Sequence, residues 1–167
     1  MEALINKTDV EKRVQVGIGY NDKNFQQFTR EAQEFDLKPL LCEDFYMSLF
    51  SLSDADKEKI FNGGEYEYNT KTYTYWGLSD VLSYFTYARF LMKSPIVSTT
   101  HGIVKKKTPE SEPADLGERK NLYYKYRQEA NQIFESFKKF AERTNLSNWN
   151  CSDEPCKEFK YKSNVIQ

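Results

Sequence analysis

The sequence predicts a mainly α-helical protein: an elongated helical bundle with one long C-terminal helix and a long loop or β-hairpin between its last two main helices. Apolar residues recur at spacings of three and four over residues 24–35, 78–93 and 115–143. The last segment would make a helix about 43 Å long, whereas a compact chain of 167 residues has a radius of gyration of only about 15 Å. Residues 94–114 interrupt the helical pattern between the last two segments.

The N-terminal residues 1–23 are predicted to form a weakly structured arm ahead of a helical domain at residues 24–144. Val14, Val16 and Ile18 alternate with polar residues, a pattern that fits one short strand. From Asn24 onward the apolar period becomes helical. The residues expected on the buried face of this first helix are Phe25, Phe28, Ala32 and Phe35.

Three shorter elements are expected between residues 39 and 76. Pro39 should end the first helix, and a second apolar helix should follow it. A third helix should begin at a cap formed by Ser53 or Asp54 and stop at Gly63-Gly64. The alternation of Tyr with polar residues at 65–76 fits a hairpin that turns at 69–71, and an irregular aromatic loop is the alternative. The apolar positions of the second helix are Leu40, Leu41, Phe45, Leu49 and Leu52.

Residues 78–93 are the most hydrophobic segment and are expected to form the central helix. One apolar stripe includes Phe85 and Ala88, which we expect in the core, and a second includes Tyr84, Tyr87 and Leu91. A helix that is apolar on two sides is buried on two sides. We expect this chain to cover the first stripe and a neighbouring subunit to cover the second.

Residues 115–143 carry the clearest helical pattern. Asp115 followed three residues later by Glu118 is a capping-box arrangement, and an unbroken apolar stripe follows it. The residues of this stripe that we expect in the core are Ile133, Phe134 and Phe137.

Residues 94–114 and 145–167 fall outside the helical pattern, and the second of these is expected to be a C-terminal arm. A polar connection as long as the first is usually functional or disordered. We expect it to become ordered, with residues 96–99 and 102–106 paired as strands, when it contacts a neighbouring subunit or an adjacent protein. The expected contact residues are Ile96, Val97, His101, Ile103, Val104, Lys105, Lys106 and Lys107.

Composition excludes several classes of protein. A net charge of −1 and an isoelectric point near 6.0 disfavour a dedicated nucleic-acid binder, which is usually basic. The charged N-terminal residues disfavour a signal peptide, and no run approaches the ~20 apolar residues of a membrane span. The 26 aromatic residues (12 Tyr, 12 Phe and 2 Trp) favour a protein partner, because Tyr and Trp are enriched at interfaces.

The sequence contains no recognisable catalytic or metal-binding pattern. His101 is the single histidine, and the hydroxyl residues beside it are too close in sequence to fold back into a triad. One histidine and three cysteines do not easily supply four zinc ligands. Cys42 is expected to be a small core residue, and Cys151 and Cys156 ordinary thiols. We therefore expect no enzymatic activity, no metal and no cofactor.

Four segments carry a resemblance to a known family. They are the DLKPLL segment with Ala32 and Gln33 before it, the helix from Gly77 to Arg89, the THGIVKK loop from Thr100, and the YR-x-x-A-x-x-x-F helix from Tyr126. In order and spacing, residues 20–144 resemble the head–tail connector (adaptor or ring) proteins of tailed phages. The closest likeness is to ring proteins of Bacteroidetes and crAss-like phages.

The resemblance implies a structural virion protein of the phage neck, assembled in the host cytoplasm. Such connectors form homo-oligomeric rings, commonly of twelve helical subunits, beneath the portal protein. They present a face to the next neck or tail protein and extend the DNA channel, so contact with packaged DNA is non-specific and no membrane is involved. The alternative from another class is a stand-alone helical binding module with a small ligand in its aromatic core.

Overall fold

The computed structural model confirms the predicted fold class, a mainly helical bundle. The structure describes residues 2–16, 22–94, 96–99, 102–105, 115–147 and 149, and for 96–99 and 102–105 it describes the backbone alone. The elements in chain order are α1 (Lys7–Glu11), α2 (Asp22–Ala32), a π-helical turn (Gln33–Leu37), a 3₁₀ turn (Lys38–Leu40), α3 (Glu43–Ser48), α4 (Asp54–Asn62), β1 (Gly64–Tyr68), β2 (Lys71–Tyr75), α5 (Leu78–Lys93), β3 (Ile96–Thr99), β4 (Gly102–Lys105) and α6 (Leu116–Arg143).

The pair of helices α5 and α6 forms the spine of the bundle, and α2 packs against α5. Phe85 and Ala88 of α5 are buried as predicted. The second apolar stripe of α5 is partly covered by α6, because the Tyr84 and Tyr87 rings lie 5.9 and 4.8 Å from the Tyr126 ring. Tyr84, Tyr87 and Leu91 remain half-buried, so the contact of this stripe with a neighbouring subunit stays a prediction.

The predicted long C-terminal helix is confirmed, since α6 contains 28 residues. Its start is the predicted capping box: the Glu118 amide donates to the Asp115 carboxylate at 2.9 Å, and the Asp115 amide donates to Glu118 at 3.2 Å. Phe134 and Phe137 are buried in the core. Ile133 is only half-buried, because it lies at the edge of the buried stripe.

Strands β1 and β2 form the predicted antiparallel hairpin, with Tyr66 opposite Tyr73. Both turn residues adopt the left-handed backbone region, with φ of 50° at Asn69 and 62° at Thr70. The Tyr75 ring stacks on Phe140 with centroids 3.7 Å apart. The hairpin is therefore fixed to the C-terminal end of α6.

The N-terminal segment differs from the predicted arm. Its described residues include helix α1, and Ile5 and Val10 are buried in the core at 4% and 0% exposure. Residues 14–16 form no strand, and Ile18 lies outside the described residues. The apolar side chains of this segment gain more by burial against α5 than an isolated strand could, so the segment is part of the bundle.

The π-helical turn reverses one sequence prediction. Phe35 was expected on the buried face, yet 67% of its surface is exposed. A π-helical turn contains more residues than an α-helical turn, which rotates the following side chains around the axis. Asp36 and Leu37 consequently face inward in place of Phe35.

The short elements between the first and the central helix are mostly as predicted. Ser53 caps α4 and Gly63 ends it with a φ of 74°. The second helix is shorter than expected, because α3 ends at Ser48. Cys42 is half-buried against the hydrophobic core, as predicted, and it is disulfide-bonded, which was not predicted. Cys151 and Cys156 lie outside the described residues.

Candidate functional site

Five of the eight predicted contact residues lie in one antiparallel hairpin between α5 and α6. Strand β3 contains Ile96 and Val97, strand β4 contains Ile103, Val104 and Lys105, and Val97 pairs with Val104 in register. This confirms the predicted hairpin between the last two main helices. His101, Lys106 and Lys107 lie outside the described residues.

The base of this hairpin is tied to the bundle by a buried arginine. Arg119, in the first turn of α6, is 4% exposed, and its Nη1 donates to the Met92 carbonyl near the end of α5 at 3.0 Å. A cation at the C-terminal end of a helix is favoured by the helix dipole. The two helices that carry the hairpin are therefore held together where the hairpin begins and ends.

A second cluster lies around Asp36, whose side chain is only 1% exposed. This carboxylate accepts hydrogen bonds from Arg89 of α5 and from Arg127 of α6. Arg89 also lies 3.6 Å from the Glu31 carboxylate, and Glu31 pairs with Lys93. We call these five residues the Asp36 cluster. It links α2, the π-helical turn, α5 and α6.

Within the Asp36 cluster, the Glu31 carboxylate is held in its charged form. Burial would raise the pKa of Glu31, but hydrogen bonds from Lys93 and Gln27 outweigh it and hold the pKa below its usual range. A general acid or base needs a pKa near the working pH. The arrangement therefore suits structural pairing more than proton transfer.

The Asp36 cluster was not predicted as a site, although three of its five residues lie in the segments that carry the phage-connector resemblance. Asp36 begins DLKPLL, Arg89 ends the helix from Gly77, and Arg127 follows Tyr126. They are separated by 53 and 91 residues in sequence. The sequence shows a charged residue at the edge of each apolar stripe. It does not show which of these charged residues pair with each other.

A third polar feature lies at the start of α5. Arg13 forms a partly buried ion pair with Asp80, and Asp80 accepts a hydrogen bond from the Gly77 amide at 3.2 Å. Beside the pair is a groove of about 450 Å³, bordered by Trp76 and Tyr84. The ion pair explains how the N-terminal segment is attached to the central helix.

The described residues contain no group of three or more His, Cys, Asp or Glu that could hold a metal ion. Within the same part of the chain, no helix is both long and apolar enough to cross a membrane.

One family model matches the chain. It is DUF6712, a family of unknown function, and the match extends over residues 37–158. No curated protein matches the chain, and no solved structure matches it.

Proposed function

We propose that this chain, which belongs to the DUF6712 family of unknown function, is a head–tail connector subunit of a tailed bacteriophage. In this proposal, copies of the chain form a ring between the portal protein and the next neck or tail protein, and the ring extends the channel for DNA. The protein then belongs to the neck of the virion and is assembled in the host cytoplasm. The β3–β4 hairpin is the observation that carries the proposal.

The β3–β4 hairpin is a small sheet of two strands with four residues each. An isolated two-stranded hairpin is marginally stable in water and needs a further strand or a packed surface. Exposed strand edges readily pair with other chains. A hairpin that leaves a rigid base formed by α5 and α6 therefore suits contact with a neighbouring subunit or an adjacent neck protein.

The use of charged and aromatic residues also supports a structural function. Three ionisable residues of the resemblance segments, Asp36, Arg89 and Arg127, pair with one another in the Asp36 cluster, which binds helices to each other. Aromatic rings fill the core by mutual contact, as Tyr75 and Phe140 do. The small-ligand alternative requires an aromatic cavity, whereas the grooves beside Trp76 are open to solvent.

The oligomeric state of the purified chain tests the proposal. Light scattering after size-exclusion chromatography should show a homo-oligomer, and negative-stain images should show rings with a central opening wide enough for duplex DNA. Addition of the portal protein of the same phage should give a complex in which the ring caps the portal. A chain that remains monomeric with and without the portal, and that retains a small molecule, would instead support the binding module.

A loop variant tests the role of the hairpin. Replacing residues 95–114 by a Gly-Ser turn between Ser94 and Asp115 should leave the free energy of unfolding of the monomer nearly unchanged and abolish ring formation. The matched control keeps strands β3 and β4 and replaces only residues 106–113 by a Gly-Ser segment of equal length. The control should still form rings if the strands make the contact, and rings in the shortened variant would contradict this role.

A further inference from the structure

The π-helical turn exposes an aromatic side chain beside the Asp36 cluster. Phe35 is 67% exposed, and the Arg89 guanidinium lies 5.5 Å from the centre of its ring. Arg89 is itself fixed by Asp36 and Glu31. The Phe35 ring therefore packs against a guanidinium group whose position is already fixed. The positive charge attracts the face of the aromatic ring. π-Helical turns inside helices are frequent at functional sites.

The exposed aromatic surface continues across Arg127 onto α6. The Arg127 guanidinium lies 5.3 Å from the Tyr123 ring and donates to the Tyr123 hydroxyl at 3.1 Å. Tyr124, which is 60% exposed, packs edge-to-face on Tyr123. We call Phe35, Arg89, Arg127, Tyr123 and Tyr124 the ridge.

The ridge has the composition of an interaction surface. Interface residues that dominate binding energy are enriched in Tyr and Arg and cluster in well-packed positions. The two arginines are already fixed by Asp36, so little side-chain entropy remains to be lost when a partner binds.

A groove lies on another flank of the same pair of helices. It has a volume of about 380 Å³ and is lined by Trp76, Tyr84, Glu129, Gln132, Ile133 and Ser136. Trp76 is 54% exposed at its edge. With 100° per residue in a helix, Ile133 lies about 120° around α6 from Arg127. The ridge and the groove therefore face different directions.

We propose that the ridge of one copy of this chain docks into the Trp76 groove of a second copy. This proposal rests on the proposed function, because it specifies the contact between ring subunits. A contact between two different surfaces of the same chain is heterologous, and it closes into a ring when the rotation between copies permits.

Charge and shape favour a second copy as the occupant. Beside the ridge, and among the residues that the structure describes, the three cations Arg89, Arg127 and Lys93 pair with two acids, Asp36 and Glu31. Glu129 is the acidic residue of the groove, and its contact with the exposed Lys125 is long, at 3.9 Å. Charges of opposite sign across an interface fix its register and exclude wrong partners. Trp76 and Ile133 supply the apolar surface that Phe35 and Tyr124 need.

Complementation between two variants tests the proposal. The ridge variant is Phe35→Ala with Tyr124→Ala, and the groove variant is Trp76→Ala with Glu129→Gln. Each variant alone should be monomeric by sedimentation velocity, with a circular dichroism spectrum and melting curve like those of the original chain. An equimolar mixture should form a 1:1 dimer and nothing larger, because one intact ridge then meets one intact groove.

The control is Met47→Ala, which truncates a side chain 51% exposed on α3 and should leave rings intact. Rings that persist in either the ridge or the groove variant would overturn the docking proposal and leave the proposed function standing. Two folded, monomeric variants that form no dimer on mixing would also overturn it. A chain that forms no ring even on its portal would defeat the proposed function itself.

Discussion

Asp36 shows how one carboxylate can decide the packing of two helices. The side chains of Arg89 and Arg127 are only 15% and 14% exposed, so they have lost most of their contact with water. A charge removed from water costs several kcal/mol unless an opposite charge and hydrogen bonds compensate it. Asp36 compensates both arginines at once, and it can do so because the π-helical turn directs it inward.

Replacement of Asp36 by Asn should strongly destabilise the fold. The amide keeps the size of the side chain but leaves two buried guanidinium groups without their shared anion. Breaking a buried pair in this way costs about 3–5 kcal/mol, and urea unfolding followed by circular dichroism would measure it. Glu11→Gln is the control, because Glu11 is exposed and its pair with Lys7 is worth at most about 1 kcal/mol. Equal effects of the two changes would contradict the role of Asp36.

Tyr46 should make the stability of the fold depend on alkaline pH. Burial, together with its hydrogen bond to Glu34, raises the pKa of Tyr46 to about 12, above the usual value of about 10. The folded state then holds this proton more tightly than the unfolded state. The stabilisation is fully present below pH 10 and is lost as the pH rises toward 12.

The variant Tyr46→Phe lacks this titration. Its free energy of unfolding should be lower than that of the original chain at pH 9, by about 1 kcal/mol for the lost hydrogen bonds. The difference between the two proteins should shrink as the pH rises from 10 to 12. Urea unfolding at several pH values provides the measurement, and a constant difference across this range would exclude the raised pKa.

At the scale of elements, regular helices and turns were predictable because their signals are local. The bounds of α5 coincide with the predicted 78–93 segment, and the capping box that starts α6 is contained in four consecutive residues. The hairpin turn at residues 69–70 was likewise expected. In each of these elements the residues that determine the structure are neighbours along the chain.

Features that depend on distant residues were missed. The exposure of Phe35 follows from a π-helical turn. This turn directs Asp36 inward, where its carboxylate accepts hydrogen bonds from two arginines that lie more than fifty residues away in sequence. The N-terminal segment has weak local preference and is fixed by the Arg13–Asp80 ion pair across 67 residues. A single sequence gives the presence of such charges but not their pairing, so the Asp36 cluster could not be predicted.

The β1–β2 turn offers a stabilising substitution. Thr70 has a positive φ of 62°, which is strained for a β-branched residue, whereas glycine adopts this region freely and follows Asn in the favoured two-residue turns. Thr70→Gly should therefore raise the free energy of unfolding by about 1 kcal/mol, measured by urea or thermal unfolding. Thr74→Gly is the control within strand β2, where glycine should destabilise. A destabilised Thr70→Gly variant would contradict the turn conformation.

At the scale of the whole molecule, the large aromatic content is divided between one core and the surface. Phe45, Phe134, Phe137 and Trp149 form a connected group with ring centroids 5.0–6.4 Å apart. This group joins α3, α6 and the residue at position 149. Other aromatic side chains remain exposed on the surface, and they include Phe35, Trp76 and Tyr124. The high aromatic content of the sequence predicts that such exposed rings contact a protein partner.

Phe137 should be essential for the cooperative unfolding of the whole bundle. It is fully buried and contacts Phe45, Phe140 and Trp149. Phe137→Ala should lower the free energy of unfolding by about 3–5 kcal/mol, with coincident transitions by circular dichroism and tryptophan fluorescence. Leu122→Ala, at a position 38% exposed, should change it by less than about 0.5 kcal/mol. A Phe137→Ala protein that melts like the original chain would exclude a single shared core.

Reversing the charge of three neighbouring lysines should weaken the association between copies of the chain. Reversal of Lys105, Lys106 and Lys107 to Glu lowers the net charge by two at each position, from −1 to −7. Ring formation should weaken, and the effect should be larger at 0.01 M salt, where the screening length is about 30 Å, than at 0.1 M, where it is about 10 Å. Sedimentation velocity at the two salt concentrations measures the change.

A control of equal charge separates a local contact from general repulsion between copies. Reversal of Lys57, Lys71 and Lys139, which are all exposed, gives the same net charge of −7 at sites away from the β3–β4 hairpin. If Lys105, Lys106 and Lys107 contact a neighbouring subunit, their reversal should weaken the ring more than the control does at both salt concentrations, because short-range pairs are screened less than distant charges. Equal weakening in the two variants would show that the effect comes from net charge alone. It would contradict a contact between these three lysines and a neighbouring subunit.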